Sequence, residues 1–459
     1  MNGERGENTA RTDMAMFEQM HPTKLFLKCA FPAALSMIFS GLYSIADGIF
    51  VGRLIGQDAL AAVNLVMPLI AVSFALAEMI AVGSSVQLAT LLGQREAEQA
   101  NRTFSVCIKT ILGMSVVIGL VFFFCSPWML ELMGTRGLAL RYGIEYIRVY
   151  ALFAPLIIVY FAADNYLRIC GKQNYSMALN IATAVLNVVL DFVLLVVWRQ
   201  GVWAAALASC ISMSVGTVAA LWPFFRNKLE LRFVKGGITL WQFVRLLANG
   251  ASEFFGNIAS SVFSFILNIV LLSIGGATAV AAMSVVMYVE SLAAMVVSGM
   301  SDSMQPAISY CQGAGLRKRV YALEGRVLAS AAVLSFAACL LLRYGGRWVV
   351  PLFVKLEETE LLVLSVHAMG LYALSYLVNW IDGCLSTFLT ALGQAGRSFI
   401  VSIMGTLVLP LAGLALLVPS MGLDGVCLMP LLAGVVNGAL AVALTVTIKN
   451  RSVCNCGEN

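Results

Sequence analysis

The chain has 459 residues, of which 60% are hydrophobic and 12% charged, with a formal net charge of +5. Soluble domains carry about 25% charged residues, and a water-soluble protein of this balance would expose large apolar patches and aggregate, so lipid is the solvent that suits it. The small positive charge excludes nucleic acid as a favoured partner, and two separated histidines, His21 and His367, exclude a histidine metal centre.

Residues 1–24 open the chain as a polar segment without the apolar core of a signal peptide, which reads as a cytoplasmic tail. A bilayer core needs about 20 apolar residues per helix. Twelve stretches meet that need: 25–51, 60–86, 104–125, 146–167, 174–198, 203–225, 243–273, 279–303, 322–342, 361–389, 397–418 and 424–447. Turn-rich or charged breaks separate them, such as Gly93-Gln94-Arg95-Glu96 and Gly345-Gly346-Arg347. Residues 448–459 read as a second cytoplasmic tail. The eleven cysteines are scattered, mostly within apolar runs, and imply no disulfide framework. The prediction is an all-α polytopic membrane protein.

With the N-terminus inside, 21 of the 29 basic residues fall on the cytoplasmic side and 8 outside. That bias follows the positive-inside rule and supports the count, because a missed helix would scramble it. The longest polar cytoplasmic connection, 226–242, divides the chain into two six-helix halves, 25–225 and 243–447. The halves resemble each other. Leu54–Val63 aligns with Ile274–Met283 at an offset of 220, Cys170–Ser176 with Leu392–Ser398 at 222, and Gly201–Ala205 with Gly422–Val426 at 221. A near-constant offset signals duplication. An even helix number returns the second half in the same orientation, so the repeat is parallel, about an axis along the membrane normal.

Ionisable residues within a membrane are expensive, about 2.5–3.5 kcal/mol for an aspartate at a helix centre on insertion scales, so each needs a reason. Asp47 lies near the outer end of the first stretch, Asn187 and Asp191 in the outer half of the fifth, and Ser209 in the outer half of the sixth. The four-residue spacing puts Asn187 and Asp191 on one helix face. Two carboxylates, an amide and a hydroxyl at one depth suit a hard cation such as Na+, or a proton shared between the acids. The alternative is a helix-end cap at Asp47 and an interhelical bond at Asp191. The matching positions of the second half are Leu267, Leu409 and Gly413, so the scaffold itself does not need charge there. Glu253, Glu290 and Asp382 form a second acidic set in the second half, placed to line a cleft that attracts cationic substrates or to make buried polar contacts. Pro32 interrupts the first stretch fifteen residues before Asp47 and is a candidate hinge, since proline removes a helical hydrogen bond.

Residues 32–68 carry a resemblance. Pro32, Tyr43-Ser-Ile-Ala-Asp47-Gly-Ile-Phe-Val-Gly52-Arg-Leu-Ile-Gly56, and Ala59-Leu-Ala-Ala-Val-Asn64 through Pro68 closely resemble the opening of the multidrug and toxic compound extrusion (MATE) family. Leu92-Gly-Gln94, Gly171-Lys172, Asn187 with Asp191, and Ala391-Leu-Gly393 fit as well. The resemblance implies two six-helix lobes in a V shape. It also implies cation/drug antiport by alternating access, driven by Na+ or H+, with no cofactor. It further implies an N-lobe cation site at Asp47, Asn187 and Asp191, completed by the Ala205 carbonyl and the Ser209 hydroxyl. Acidic residues in helices seven and ten, used by some members, map onto Glu253 and Asp382. Glu78 departs from the family's usual uncharged second helix.

The partners expected are small amphipathic or cationic organic compounds and the bilayer, with the chain a monomer in the plasma (inner) membrane and both termini cytoplasmic. The runner-up function is a flippase for lipid-linked oligosaccharide or another amphiphile. Twelve helices and few intramembrane arginines argue against it. No His-Glu-x-x-His, Gly-x-Ser-x-Gly or clustered-aspartate motif is present, so no catalytic residue is assigned and an enzyme is disfavoured. A channel is disfavoured by the lack of a repeated pore motif and by the restriction of the Asp47 and Asp191 pair to one lobe.

Overall fold

A computed structural model describes residues 14–55, 57–353 and 358–454. The first thirteen residues of the N-terminal tail, Gly56, Lys355 and the last five residues of the C-terminal tail lie outside the described residues, as do the side chains of 44–46, 48, 49, 52 and 53 in the Asp47 motif.

Each apolar stretch is helical, because a backbone in hydrocarbon must satisfy its own hydrogen bonds. In chain order the helices are α1 Pro22–Phe50, α2 Gln57–Gly93, α3 Ala97–Leu132, α4 Gly137–Ile169, α5 Gln173–Asp191 and α6 Val202–Phe225. The next helical run, Leu240–Gly313, leaves helical geometry at Gly275 and Gly276. It is therefore two spans, α7 (240–274) and α8 (277–313). Gly276 sits at φ 58° and ψ −150°, a conformation open essentially to glycine alone. Then come α9 Arg317–Val349, α10 Thr359–Tyr372, α11 Asn379–Ala391, α12 Ala395–Ile403, α13 Leu409–Met421 and α14 Leu423–Cys454.

Two predicted spans are compound. The tenth is α10, a 3-10 turn over Ala373–Leu377, and α11. The eleventh is α12, a π-helical turn over Met404–Val408, and α13. The predicted twelve-span all-helical class is what the structure has. Its helices run several residues past the apolar stretches, because hydrophobicity marks the hydrocarbon core while the helix continues into the headgroup layer. Gly171 and Gly393, paired in the duplication, both take left-handed φ values of 76° and 69° after their helices.

The chain forms two compact units. Unit 1 comprises residues up to Gly250 with Ser309–Leu316, and unit 2 comprises Ala251–Ile308 and everything from Arg317 onward. In unit 1, α4 packs against α2, α3 and α6 and carries buried tyrosines whose hydroxyls find partners. Tyr150 meets Ser73 Oγ at 2.8 Å, Tyr166 meets Ser84 Oγ at 2.6 Å, and Tyr160 donates to Asn180 Oδ1 at 2.9 Å. Such interhelical bonds satisfy groups that lipid cannot.

Segments read from sequence as tail and linker are partly packed into unit 1. Residues 14–19 are helical, Met14, Met16 and Phe17 are buried, and the Tyr310 hydroxyl donates to Glu18 Oε1 at 2.9 Å. The 226–239 connection is anchored to α3 by bonds from the Arg232 amide to Asn101 Oδ1 (2.7 Å) and the Val234 amide to Ser105 Oγ (2.9 Å). Phe233 packs on Phe104 and Phe225. Apolar residues inside polar sequence, such as Phe17 and Phe233, are the cause.

Asp164 and Arg168 of α4 form a nearly buried ion pair at 2.6 Å, and Asp164 also accepts from Ser176 Oγ (2.5 Å) and Asn180 Nδ2 (3.1 Å) of α5. Removing one partner of such a pair strands a charge, so Asp164→Asn is expected to destabilise unit 1 by about 3 kcal/mol. Thermal melting in detergent checks this; an unchanged midpoint would show the network to be dispensable. At the positions of unit 2 that match Asp164, Arg168 and Ser176 stand Ser386, Thr390 and Ser398, whose hydroxyls bond one another, Thr390 Oγ1 meeting Ser398 Oγ at 2.6 Å, while an apolar cluster including Leu267, Leu271, Met283, Met369, Leu414 and Met429 forms a core of this unit.

Candidate functional site: an acidic pair in unit 1 and an acid-lined cavity in unit 2

Asp47 lies in the last turn of α1, just before a π-helical turn over Val51–Ile55. Asp191 is the last residue of α5 before a second π-helical stretch, Phe192–Val197. The two π segments pack together. Such wider turns are rare and re-aim side chains, often at functional sites. α1 packs along α5, and this brings the two acids within electrostatic reach of each other. Asp191 is fully buried and Asp47 half-buried, yet Asp47 Oδ1 and Asp191 Oδ1 are both shut in without a hydrogen-bond partner.

Asn187 and Ser209 complete the cluster. With the buried Asn187 amide turned so that its nitrogen donates to Asp191 Oδ2 (3.2 Å), its oxygen accepts from the Ser209 backbone N–H (3.2 Å) and hydroxyl (2.9 Å). Ala205, one turn earlier on α6, is fully buried. Thus Asp47, Asn187, Asp191 and Ser209 converge from three helices. The sequence reading missed Tyr146 of α4, which is buried and within electrostatic reach of Asp47, Asp191 and Tyr43. One tyrosine among thirteen carries no signal that it faces two acids.

α1 runs unbroken through Pro32, and Ser36 Oγ donates to the Pro32 carbonyl at 2.9 Å. Glu78 is half-buried on α2. The duplicated positions show the contrast in physical terms. Leu267 belongs to the apolar core of unit 2, Leu409 packs against it, and the Met429 side chain lies against Gly413.

In unit 2 a cavity of about 740 Å³ is lined by Glu253, Glu290 and Asp382 together with Asp302, which the sequence reading passed over. No lysine, arginine or histidine is among its lining residues; hydroxyls and the aromatic Tyr376 and Trp380 supply the rest of its polar and stacking surface. Asp302 was missed because it sits between Ser301 and Ser303 at the end of the apolar stretch 279–303, where an acid is unremarked in sequence, although α8 itself runs on to Gly313.

Asp382 owes its place to the break in the tenth span. Val378 leaves helical geometry at φ −130°, and α11 starts at Asn379, so Asp382 falls in a new first turn, where the helix dipole favours negative charge. Its Oδ2 accepts from Asn437 Nδ2 at 2.6 Å, and that nitrogen also donates to the Val401 carbonyl at 3.1 Å. A side chain at Gly405 would collide with the Asn437 amide, so the glycine makes room for this pairing.

A profile of the MatE family matches the chain twice, over residues 32–193 and 254–413. The second match is displaced by 222 residues at its start and 220 at its end, the offset read from the internal repeat. The multidrug export protein MepA of Staphylococcus haemolyticus is 25% identical over 439 residues, covering 95% of this chain and 96% of its own length. MepA of Staphylococcus saprophyticus is 23% identical over 450 residues, with 96% and 97% covered. Among solved structures, a crystal structure of a MATE protein in complex with MaL6 superimposes with a TM-score of 0.88 at 23% identity, covering 95% of this chain and 98% of that one. With a family profile matched on both halves and the same fold found in solved members, the chain belongs to the MATE family of multi-pass membrane transport proteins.

Proposed function

We propose that this protein exports small amphipathic or cationic organic compounds by cation antiport, alternating between outward- and inward-facing states. One observation carries the reading: two adjacent carboxylates, each with a buried oxygen lacking a partner, occupy one half of a duplicated scaffold whose other half is apolar at the matching positions. Charge left in that condition is costly, and a bound Na+ or proton relieves it.

Asp47 and Asp191 bind the coupling cation, while Asn187, the Ser209 hydroxyl and the Ala205 carbonyl complete an oxygen-rich shell for Na+. The pair titrates as a unit in the proton case. The ion drives transport only through different affinities for the two states, and α1, with Pro32 as hinge, is the element that responds. The unit 2 cavity, with Glu253, Glu290 and Asp382, receives the substrate; four acids and no basic residue in its wall suit a cation and oppose an anionic lipid-linked sugar. The names of the MepA relatives as multidrug export proteins support the substrate class. The two six-helix lobes, 25–225 and 243–447, are the units of movement, in a monomer that lies in the plasma membrane with both termini cytoplasmic.

The test is efflux of ethidium from proteoliposomes under an imposed sodium gradient or pH gradient, one at a time. One gradient is expected to drive export and the other not. Ethidium movement that ignores both gradients would reject ion coupling.

A further inference from the structure

The unit 2 cavity has an acidic neighbour that no motif pointed to. Glu324 lies on the second turn of α9, is 5% exposed, and has Oε1 buried without a hydrogen-bond partner. It belongs to the buried stripe of α9 that continues through Val327 and Ala331 to Ser335, and Ser335 lines the cavity. The two residues are eleven apart on one face, about 16 Å along the helix. On α11, Cys384 lines the same cavity, contacts Ser301, and is within electrostatic reach of Glu324, Asp302 and Asp382. Glu324 therefore stands behind the cavity wall, toward the first turn of α9.

The chemistry of that niche selects its occupant. An ionised carboxylate with no partner is costly in a membrane interior. A metal cation needs several oxygens around it, whereas Glu324 is flanked by Val320, Leu323 and Val327 on its own stripe and lies within electrostatic reach of the Cys384 thiol. A proton needs one oxygen only.

We propose that Glu324 is a proton site of this transporter, holding a proton within the α9 stripe and exchanging it with the cavity carboxylates Asp302 and Asp382 past Cys384. In the exchange the O–H bond on Glu324 breaks as one forms on Asp302 or Asp382, the negative charge moves the opposite way, and no electron is transferred. Of the other elements packed on α9, two carry titratable groups that are engaged elsewhere among the described residues. α10 and the 3-10 turn bring Tyr372 and Tyr376, which interact with Glu290, and His367, which pairs with Asp424 at 2.9 Å. The inference rests on the proposed ion-coupled export and assigns it a proton step in unit 2.

Infrared difference spectra of the full chain in lipid vesicles near neutral pH test the site directly. The wild type is expected to show a deuterium-sensitive C=O band of a buried carboxylic acid that E324Q lacks and E324D retains at a shifted position. A band that survives unchanged in E324Q overturns the proposal, whatever happens to transport. In proteoliposomes E324Q is expected to lower proton-gradient-driven ethidium efflux about tenfold, within the usual range of coupling factors, with ethidium binding intact and E324D largely active. Wild-type efflux in E324Q also overturns it. A wild type that moves no ethidium under either gradient defeats the export reading, while the infrared band still decides Glu324.

Discussion

Asp191→Asn, in proteoliposomes at matched protein content, is expected to lower gradient-driven ethidium efflux about a hundredfold, toward the upper end of coupling factors between linked sites. The substitution keeps the side chain's shape and leaves an oxygen for Asn187, which donates to Asp191 Oδ2, so melting temperature should hold while ion binding is lost. Asp47→Asn should behave alike, because the two acids lie within electrostatic reach of each other with one partnerless oxygen apiece. Residues that act as a unit are non-additive. The double variant is therefore expected to transport no worse than either single one. Normal efflux in both single variants would remove the acidic pair from the mechanism, and an additive double would show two independent sites.

Asp382→Asn should weaken ethidium binding about tenfold, the effect of removing one carboxylate charge a few ångströms from a bound cation after screening in a wet cavity. Asparagine still accepts from Asn437, which now holds Asp382 at 2.6 Å, so the α11–α14 contact survives. A neutral dye of similar size should bind the variant and the wild type equally well. Fluorescence polarisation with both dyes separates the electrostatic effect from a change of shape. Equal weakening of the two dyes would mean that Asp382 props the cavity open rather than attracting charge.

Much of this was written in the chain. The twelve spans were legible because the cost of burying polar side chains in lipid leaves a long apolar signature for each helix. The offset near 221 residues was legible because both halves keep the same turn glycines, Gly171 and Gly393. Asp47, Asn187 and Asp191 stood out as polar residues in apolar runs. Glu324 did not, because it follows Arg317, Lys318 and Arg319 closely and reads as part of a charged helix end; only the packing of α9 against its neighbours buries it.

The sequence by itself determined the solvent, the helix count, the duplication and the presence of Asp47 and Asp191 in apolar runs, since each is a local or periodic property of the chain. Tertiary structure alone decided which acids meet. Asp47 and Asp191 are far apart in sequence, and only the packing of α1 on α5 makes them neighbours. The break at Val378 that turns Asp382 into a helix-first-turn residue, and the gathering of Asp302 and Glu290 around one cavity, likewise depend on how distant helices pack, which no local pattern encodes.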